Sequence, residues 1–256
     1  MKKIRVIVPI FAVLLISSLW IVIFSDSKTS SVKAQESSGT TVTDLNGDGK
    51  DDTIKYTVKD LNTCTLTVNN VSITHTGFNP GNSISIIDID KKDKYKEIVI
   101  TDNKSDNANS SYYYFYNGRK IIYMGEVDGN NMVYPGEGRF TSEMRASTLQ
   151  TWYYTANFKI NRKHKIVFIP KSLYKLGITK IVKKPVSLQL SQTNGATAVR
   201  LKVGEKVTIL YGDAKKWFLI KNSKNVKGWL AVENDTEIAG TRYNSWDVFD
   251  NINSND

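Results

Sequence analysis

Cysteine occurs once in the 256 residues and histidine only twice. A single thiol can form neither an internal disulfide nor a CxxC metal or redox site. In Cys64-Thr65-Leu66-Thr67-Val68 the period-2 alternation puts Cys64 on the side of Leu66 and Val68, which reads as a buried small hydrophobe. No cysteine lies near the N-terminus, so attachment of a lipid to a leader cysteine is excluded. His75 falls in a predicted strand and His164 among Arg162, Lys163 and Lys165, neither in a triad setting. A Gly-rich phosphate loop, a metalloprotease helix and a Ser elbow are all missing. These absences predict a binding protein and not an enzyme, with a wall hydrolase built from dispersed carboxylates as the lesser alternative.

What is present is ordinary globular composition, 40% hydrophobic and 11% aromatic, with chain enough for two small domains. The formal charge of +10 is unevenly spread: +3 over residues 1–40, +1 over 41–170, +8 over 171–240 and −2 beyond. One segment of about seventy residues therefore carries most of the excess, which predicts an anionic partner for that segment alone.

Lys2, Lys3 and Arg5 precede an uncharged run over residues 6–24. In a helix this run reaches roughly 28 Å, about one hydrocarbon core. The basic flank predicts a cytoplasmic N-terminus and an exported remainder, so residues 1–30 are expected to be a signal peptide or a membrane anchor. The protein is then secreted or held on the extracellular side of a bacterial membrane. Residues 31–43, rich in Ser, Thr, Lys and Gly, are expected to be a flexible stalk.

From residue 44 to 170 the pattern is all-β. Short apolar runs at 53–58, 63–68, 71–76, 83–87, 97–101, 112–116 and 120–127 are separated by Asn, Gly and Asp. Asn69-Asn70 and Asn117-Gly118 suit tight hairpin turns. The run 112–116 reads either as an exposed docking strand or as an internal one.

Residues 44–56 repeat at 88–100 with an offset of 44, the length of a four-stranded blade, and each copy sets an Asp-rich loop before a strand. A third copy starting near Met132 has lost the aspartates. Too few copies are present to close a propeller, so a partial propeller-like or sandwich-like arrangement is expected.

Asp44, Asn46, Asp48 and Asp52, with Gly49 in sixth place, follow the oxygen-ligand order of a Ca²⁺ loop, the Lys50 carbonyl standing at position 7. Position 12 is Lys55 and the flanks are strand, so this is not an EF-hand. In the second copy Lys92 and Lys96 fall where ligands are needed, which reads as a relic without metal. These residues resemble the FG-GAP and VCBS-type repeats of exported and integrin-like proteins, a resemblance that implies a Ca²⁺-braced loop.

Over residues 171–240 five further strands are predicted at 178–182, 187–190, 206–211, 217–221 and 228–232. Gly204, Val207, Ile209, Trp217, Leu219, Gly228 and Trp229 carry a similarity to the bacterial SH3 (SH3b) family. The family's Leu-Asn-Val-Arg-x-Gly-Pro stretch is replaced here by residues 187–195. The resemblance implies an SH3-like barrel that binds a cell-wall polymer, whether peptidoglycan or an anionic wall polymer, or a peptide. Tyr211, Trp217 and Trp229 are the candidate ligand-binding side chains, with a barrel-core position as the plain alternative for each Trp. A structural protein that docks another surface protein is the rival reading. Nucleic acid is not expected, since export removes it and no aromatic-basic motif is present. The tail over 241–256 carries Trp246 and Phe249 among Asp and Asn.

Overall fold

The computed structural model describes residues 37–77, 79–102 and 109–252. The expected signal or anchor at 1–30 and residues 31–36 of the expected stalk lie outside the described residues. Among the described residues no helix is long and apolar enough to cross a membrane.

The described chain is all-β and antiparallel. Three successive four-stranded sheets come first, each a meander in chain order. The first comprises β1 (Ser37–Thr43), β2 (Asp52–Asp60), β3 (Thr63–Val68) and β4 (Val71–Thr76). The second comprises β5 (Pro80–Ile87), β6 (Glu97–Asp102), β7 (Ser110–Tyr116) and β8 (Ile121–Asp128). The third comprises β9 (Asn130–Val133), β10 (Arg139–Ala146), β11 (Trp152–Ile160) and β12 (Ile166–Ile169).

Residues 37–43 correct the stalk expectation. They pair along the whole of β2, from Ser37 opposite Val58 to Thr43 opposite Asp52. The ladder needs only backbone groups, so a Ser/Thr/Gly segment with one apolar side chain serves as an edge strand as well as a richer one would.

The three sheets are stacked, and alternation along the strands decides what touches what. Tyr112, Tyr114 and Tyr116 join Ile54, Tyr56, Cys64, Leu66 and Val68 of the first sheet in one core. Tyr113 and Phe115, pointing the other way, join Phe140, Ala156 and Phe158 of the third. The aromatic run is therefore an internal strand covered on both faces, every residue of it buried. Its hydroxyls find partners inside: Tyr113 Oη lies 2.7 Å from Tyr134 Oη, and Tyr56 Oη donates to the Gly81 carbonyl at 2.8 Å. His75 meets the Tyr114 hydroxyl through Nδ1 and packs edge-on against Tyr112 and Tyr123, and burial pushes its pKa down.

In each sheet the loop expected from the repeat joins the first strand to the second, and the loops hold one another. The Leu45 carbonyl accepts the Lys96 N–H at 3.0 Å, and the Ile89 carbonyl accepts the Gly138 N–H at 2.8 Å. The approach is close: a Cβ on Gly47 (φ +65) would lie 2.6 Å from the Lys94 carbonyl oxygen, and one on Gly138 (φ +72) 2.8 Å from Asp90 Oδ2. Glycine is required there both by backbone conformation and by space.

The C-terminal sheet contains β13 (Tyr174–Ile181), β14 (Val186–Gln189), β15 (Thr197–Leu201), β16 (Lys206–Gly212), β17 (Trp217–Asn222) and β18 (Lys227–Glu233), with β19 (Glu237–Ile238) on β18. Its order is β13-β16-β17-β18-β14-β15. It wraps a single core that includes Leu188, Leu201, Ile209, Phe218, Ile220 and Leu230. Its edge strands β13 and β15 are not paired, so a closed barrel is corrected to a curved open sheet.

The tail completes this core. Helix α1 (Ser245–Val248) brings Val248 and Phe249 fully inside, and Phe249 bridges to Val182. Lys180 Nζ donates to the Asn251 carbonyl at 2.7 Å, and the Ile181 N–H to Asp250 Oδ1 at 2.6 Å. The core also takes in Ala146, Leu149 and Trp152, so the hairpin end of the third sheet belongs to both packing units. Trp152 meets Phe218 edge-on at 6.3 Å, and Tyr154 meets Tyr174 at 4.3 Å.

Candidate functional site

Strand register gathers the three expected ligand-binding residues on the outward face of the C-terminal sheet. Tyr211 stands opposite Leu219, and Leu219 opposite Trp229, so one cross-strand row reads Tyr211-Leu219-Trp229. Trp217 lies two residues before Leu219 and shares its face. Phe218, Ile220 and Leu230, between them in sequence, form the core instead. Trp217 and Trp229 are half-buried and Tyr211 is 38% exposed, so neither Trp fills the interior. The turn before Trp217 is fixed by Asp213, whose Oδ1 accepts the N–H groups of Lys215, Lys216 and Trp217 at 2.8–2.9 Å. The Lys216 ammonium then sits 5.9 Å from the Trp217 ring.

Tyr211 is also one wall of a cleft of about 390 Å³ between this sheet and the third one. Tyr153, Tyr154 and Tyr174 line it together with Lys171, Lys175 and Glu143. Tyr153 is 48% exposed, and Glu143 is held by the Asn131 amide at 2.7 Å. The cleft thus offers half-open aromatic rings beside two ammonium groups. Rings of this kind stack on the apolar faces of sugars while their hydroxyls bond polar edges.

The sequence had not marked Tyr153, Tyr154, Tyr174, Lys171 or Lys175. Tyr153, Thr155 and Asn157 do alternate as a solvent-facing row, but nothing in their spacing connects that row with Tyr211 fifty-four residues beyond Asn157.

The first loop is held by hydrogen bonds from its own backbone. Asp44 is its keystone: Oδ1 accepts from the Asn46 and Gly47 N–H groups at 3.2 and 2.7 Å, and Oδ2 from Gly49 at 2.9 Å. These bonds, chiefly that from Gly49, lower its pKa. Asp48 Oδ1 accepts from the Lys50 N–H at 2.9 Å. Asp52, 4% exposed, accepts from the Leu45 N–H at 3.0 Å and from the Asn69 amide at 2.8 Å. It is a brace between loop and sheet. Among the described residues no three acidic, His or Cys side chains gather within reach of one metal ion. The expected set of Asp44, Asn46, Asp48, Lys50 and Asp52 is of another kind, since it includes an amide oxygen and a backbone carbonyl beside its carboxylates.

The second loop changes the alignment of the repeat. Glu97 Oε2 accepts the Ile89 N–H at 3.0 Å, the bond that Asp52 makes with Leu45. Asp52 thus corresponds to Glu97 and not to Lys96, because this loop is one residue longer. Glu97 is fully buried, and among the described residues neither its Oε1 nor the buried Asp88 Oδ1 has a hydrogen-bond partner. Burial first, then the nearby Asp93 and Asp88 charges, push its pKa up to about 7.

No protein-family profile, curated protein or solved structure matches the chain.

Proposed function

We propose that this is an exported, non-enzymatic surface protein whose C-terminal sheet, SH3b-like in its sequence pattern, binds a cell-wall polymer, with the N-terminal segment serving as leader or anchor. The observation that carries the reading is the row of Tyr211, Leu219 and Trp229, with Trp217 beside it, on one outward face that opens into a cleft lined by tyrosines and lysines. Large aromatic side chains left half-open by a sheet that has filled its core with other residues are what ring stacking on a glycan requires. The basic excess of residues 171–240 adds attraction for an anionic wall.

Co-sedimentation with purified cell walls tests it. Trp217→Ala and Trp229→Ala together are expected to weaken binding by about 30-fold or more, since each stacked aromatic contributes roughly 1–3 kcal/mol. The midpoint of unfolding should shift little, because both side chains lie outside the core. Wild-type sedimentation by the double variant defeats the reading.

Calcium belongs to the same proposal in reduced form. Asp44, Asn46, Asp48 and the Lys50 carbonyl are the groups that would hold Ca²⁺ at the first loop, the ion supplying charge neutralisation there, while Asp52 keeps its bonds to Leu45 and Asn69. The thermal midpoint is expected to rise on going from chelator to about 5 mM Ca²⁺, and Asp48→Asn to abolish the rise. Asp52→Ala is expected to lower the midpoint equally in both conditions, since it removes a buried brace and not a ligand. An equal midpoint with and without the ion removes calcium from the account.

A further inference from the structure

The cleft at Tyr211 does not stop at the C-terminal sheet. Lys171 lines it and also lines a second recess of about 300 Å³ on the third sheet, whose other walls include Pro135, Arg139, Thr141, Asn157 and Ile169. Register makes the two recesses one groove. Arg139, Thr141 and Glu143 alternate along β10 and stand opposite Lys159, Asn157 and Thr155, while Asn157 stands opposite Ile169 of β12. Along β10 and β11 these side chains alternate with Phe140, Ala156 and Phe158, and Phe140 and Phe158 also border the recess on the third sheet. Along β11 the path from Asn157 to Tyr153 is four residues, about 14 Å at the rise of an antiparallel strand, before Tyr211 is reached.

The charge on this face is one-sided. Arg139, Lys159, Lys171 and Lys175 are exposed. Against them stands Glu143, which is already held by Asn131. Among the described residues no carboxylate is paired with Arg139 or Lys171. Cations alone would suit any polyanion. The open rings of Tyr153 and Tyr211 in the same groove select one with flat sugar faces between its charges.

We propose that this groove binds a linear acidic polysaccharide whose carboxylates lie over Arg139 and Lys171 and whose sugar rings stack on Tyr153 and Tyr211. The inference rests on the wall-polymer reading and specifies its ligand: the binding surface spans two sheets, and the repeat module supplies half of it.

Calorimetric titration of the full chain with polygalacturonate, polyphosphate and uncharged dextran tests the proposal. Arg139→Ser with Lys171→Ser is expected to raise the polygalacturonate Kd by about tenfold or more. Lys202→Ser with Lys224→Ser, which removes the same charge outside the groove, is expected to change it less than about twofold. Tyr153→Ala is expected to weaken polygalacturonate binding and leave polyphosphate binding as it was. Equal losses in the two charge variants would reduce the effect to bulk electrostatics and overturn the site. Polyphosphate binding as tight as polygalacturonate binding, with Tyr153→Ala silent, would overturn the glycan. Both results are independent of the Trp217 and Trp229 variants on whole walls, so failure of the groove and failure of the general reading are separable.

Discussion

Replacing Glu97 with Gln is expected to make the protein more stable at pH 8, by about 3 kcal/mol, and to change it little at pH 4. The carboxyl is fully buried, and its pKa rises from the ordinary 4.5 to about 7. A group whose pKa is higher folded than unfolded binds more protons in the folded state between the two values. Its favourable contribution is therefore complete below about 4.5 and is lost as pH climbs through 7. A displacement of roughly 2.5 units corresponds to about 3 kcal/mol of lost stability once both states are ionised.

Gln never ionises and keeps an oxygen for the Ile89 N–H. Urea unfolding of wild type and variant across pH 4 to 8 reads the difference directly. Parallel curves for the two proteins would show that Glu97 is not the titrating group.

Phe249→Ala is expected to cost about 3–5 kcal/mol, a large share of the roughly 5–15 kcal/mol that holds a domain folded. The ring is fully buried among Val182, Val186 and Val248 in the C-terminal core, sixteen residues after the last strand that pairs with β17. Removing it leaves a cavity that the flanking strands cannot close, since Val182 is tied to Phe249 by a backbone bridge and Lys183 N–H to the Val248 carbonyl at 2.7 Å. Denaturant midpoints of the variant against wild type measure it. A loss under about 1 kcal/mol would mean that the tail is an appendage.

That tail marks where sequence reasoning stops. Val248 and Phe249 sit among Asn and Asp, a composition that reads as solvent-facing. Their burial depends on β13 being a neighbour, a contact separated by some seventy residues. The opposite case is the hairpin of β3 and β4. Its strict alternation, with Asn69 adopting φ 54 at the turn, made residues 63–68 and 71–76 legible to the residue. Both signals there are local.

The edge strand β1 was hidden because it contributes ladder hydrogen bonds and little apolar surface. Val42, its single aliphatic side chain, is itself exposed.

The acidic loop illustrates a subtler limit. Spacing alone makes Asp52 a ligand, yet a carboxylate at the first position of a strand is also well placed to cap the loop before it, and here the Leu45 N–H takes it. The one-residue lengthening of the second loop likewise conceals Glu97 behind Lys96 in a gapless alignment. Of the candidate binding surface, Trp217, Trp229 and Tyr211 were legible through a family pattern. Tyr153 and Lys171 were not, because only three-dimensional packing brings the third sheet beside β16.

The loop-to-loop bonds tie each sheet to the next, and between the second and third loops they run both ways. The Leu45 carbonyl takes the Lys96 N–H, the Ile89 carbonyl takes the Gly138 N–H, and the Gly136 carbonyl in turn takes the Lys91 N–H. Excising the middle sheet would strand both an acceptor and a donor, along with two aromatic interfaces. Thermal loss of any one sheet therefore propagates to its neighbours, and the array is built to melt as a whole.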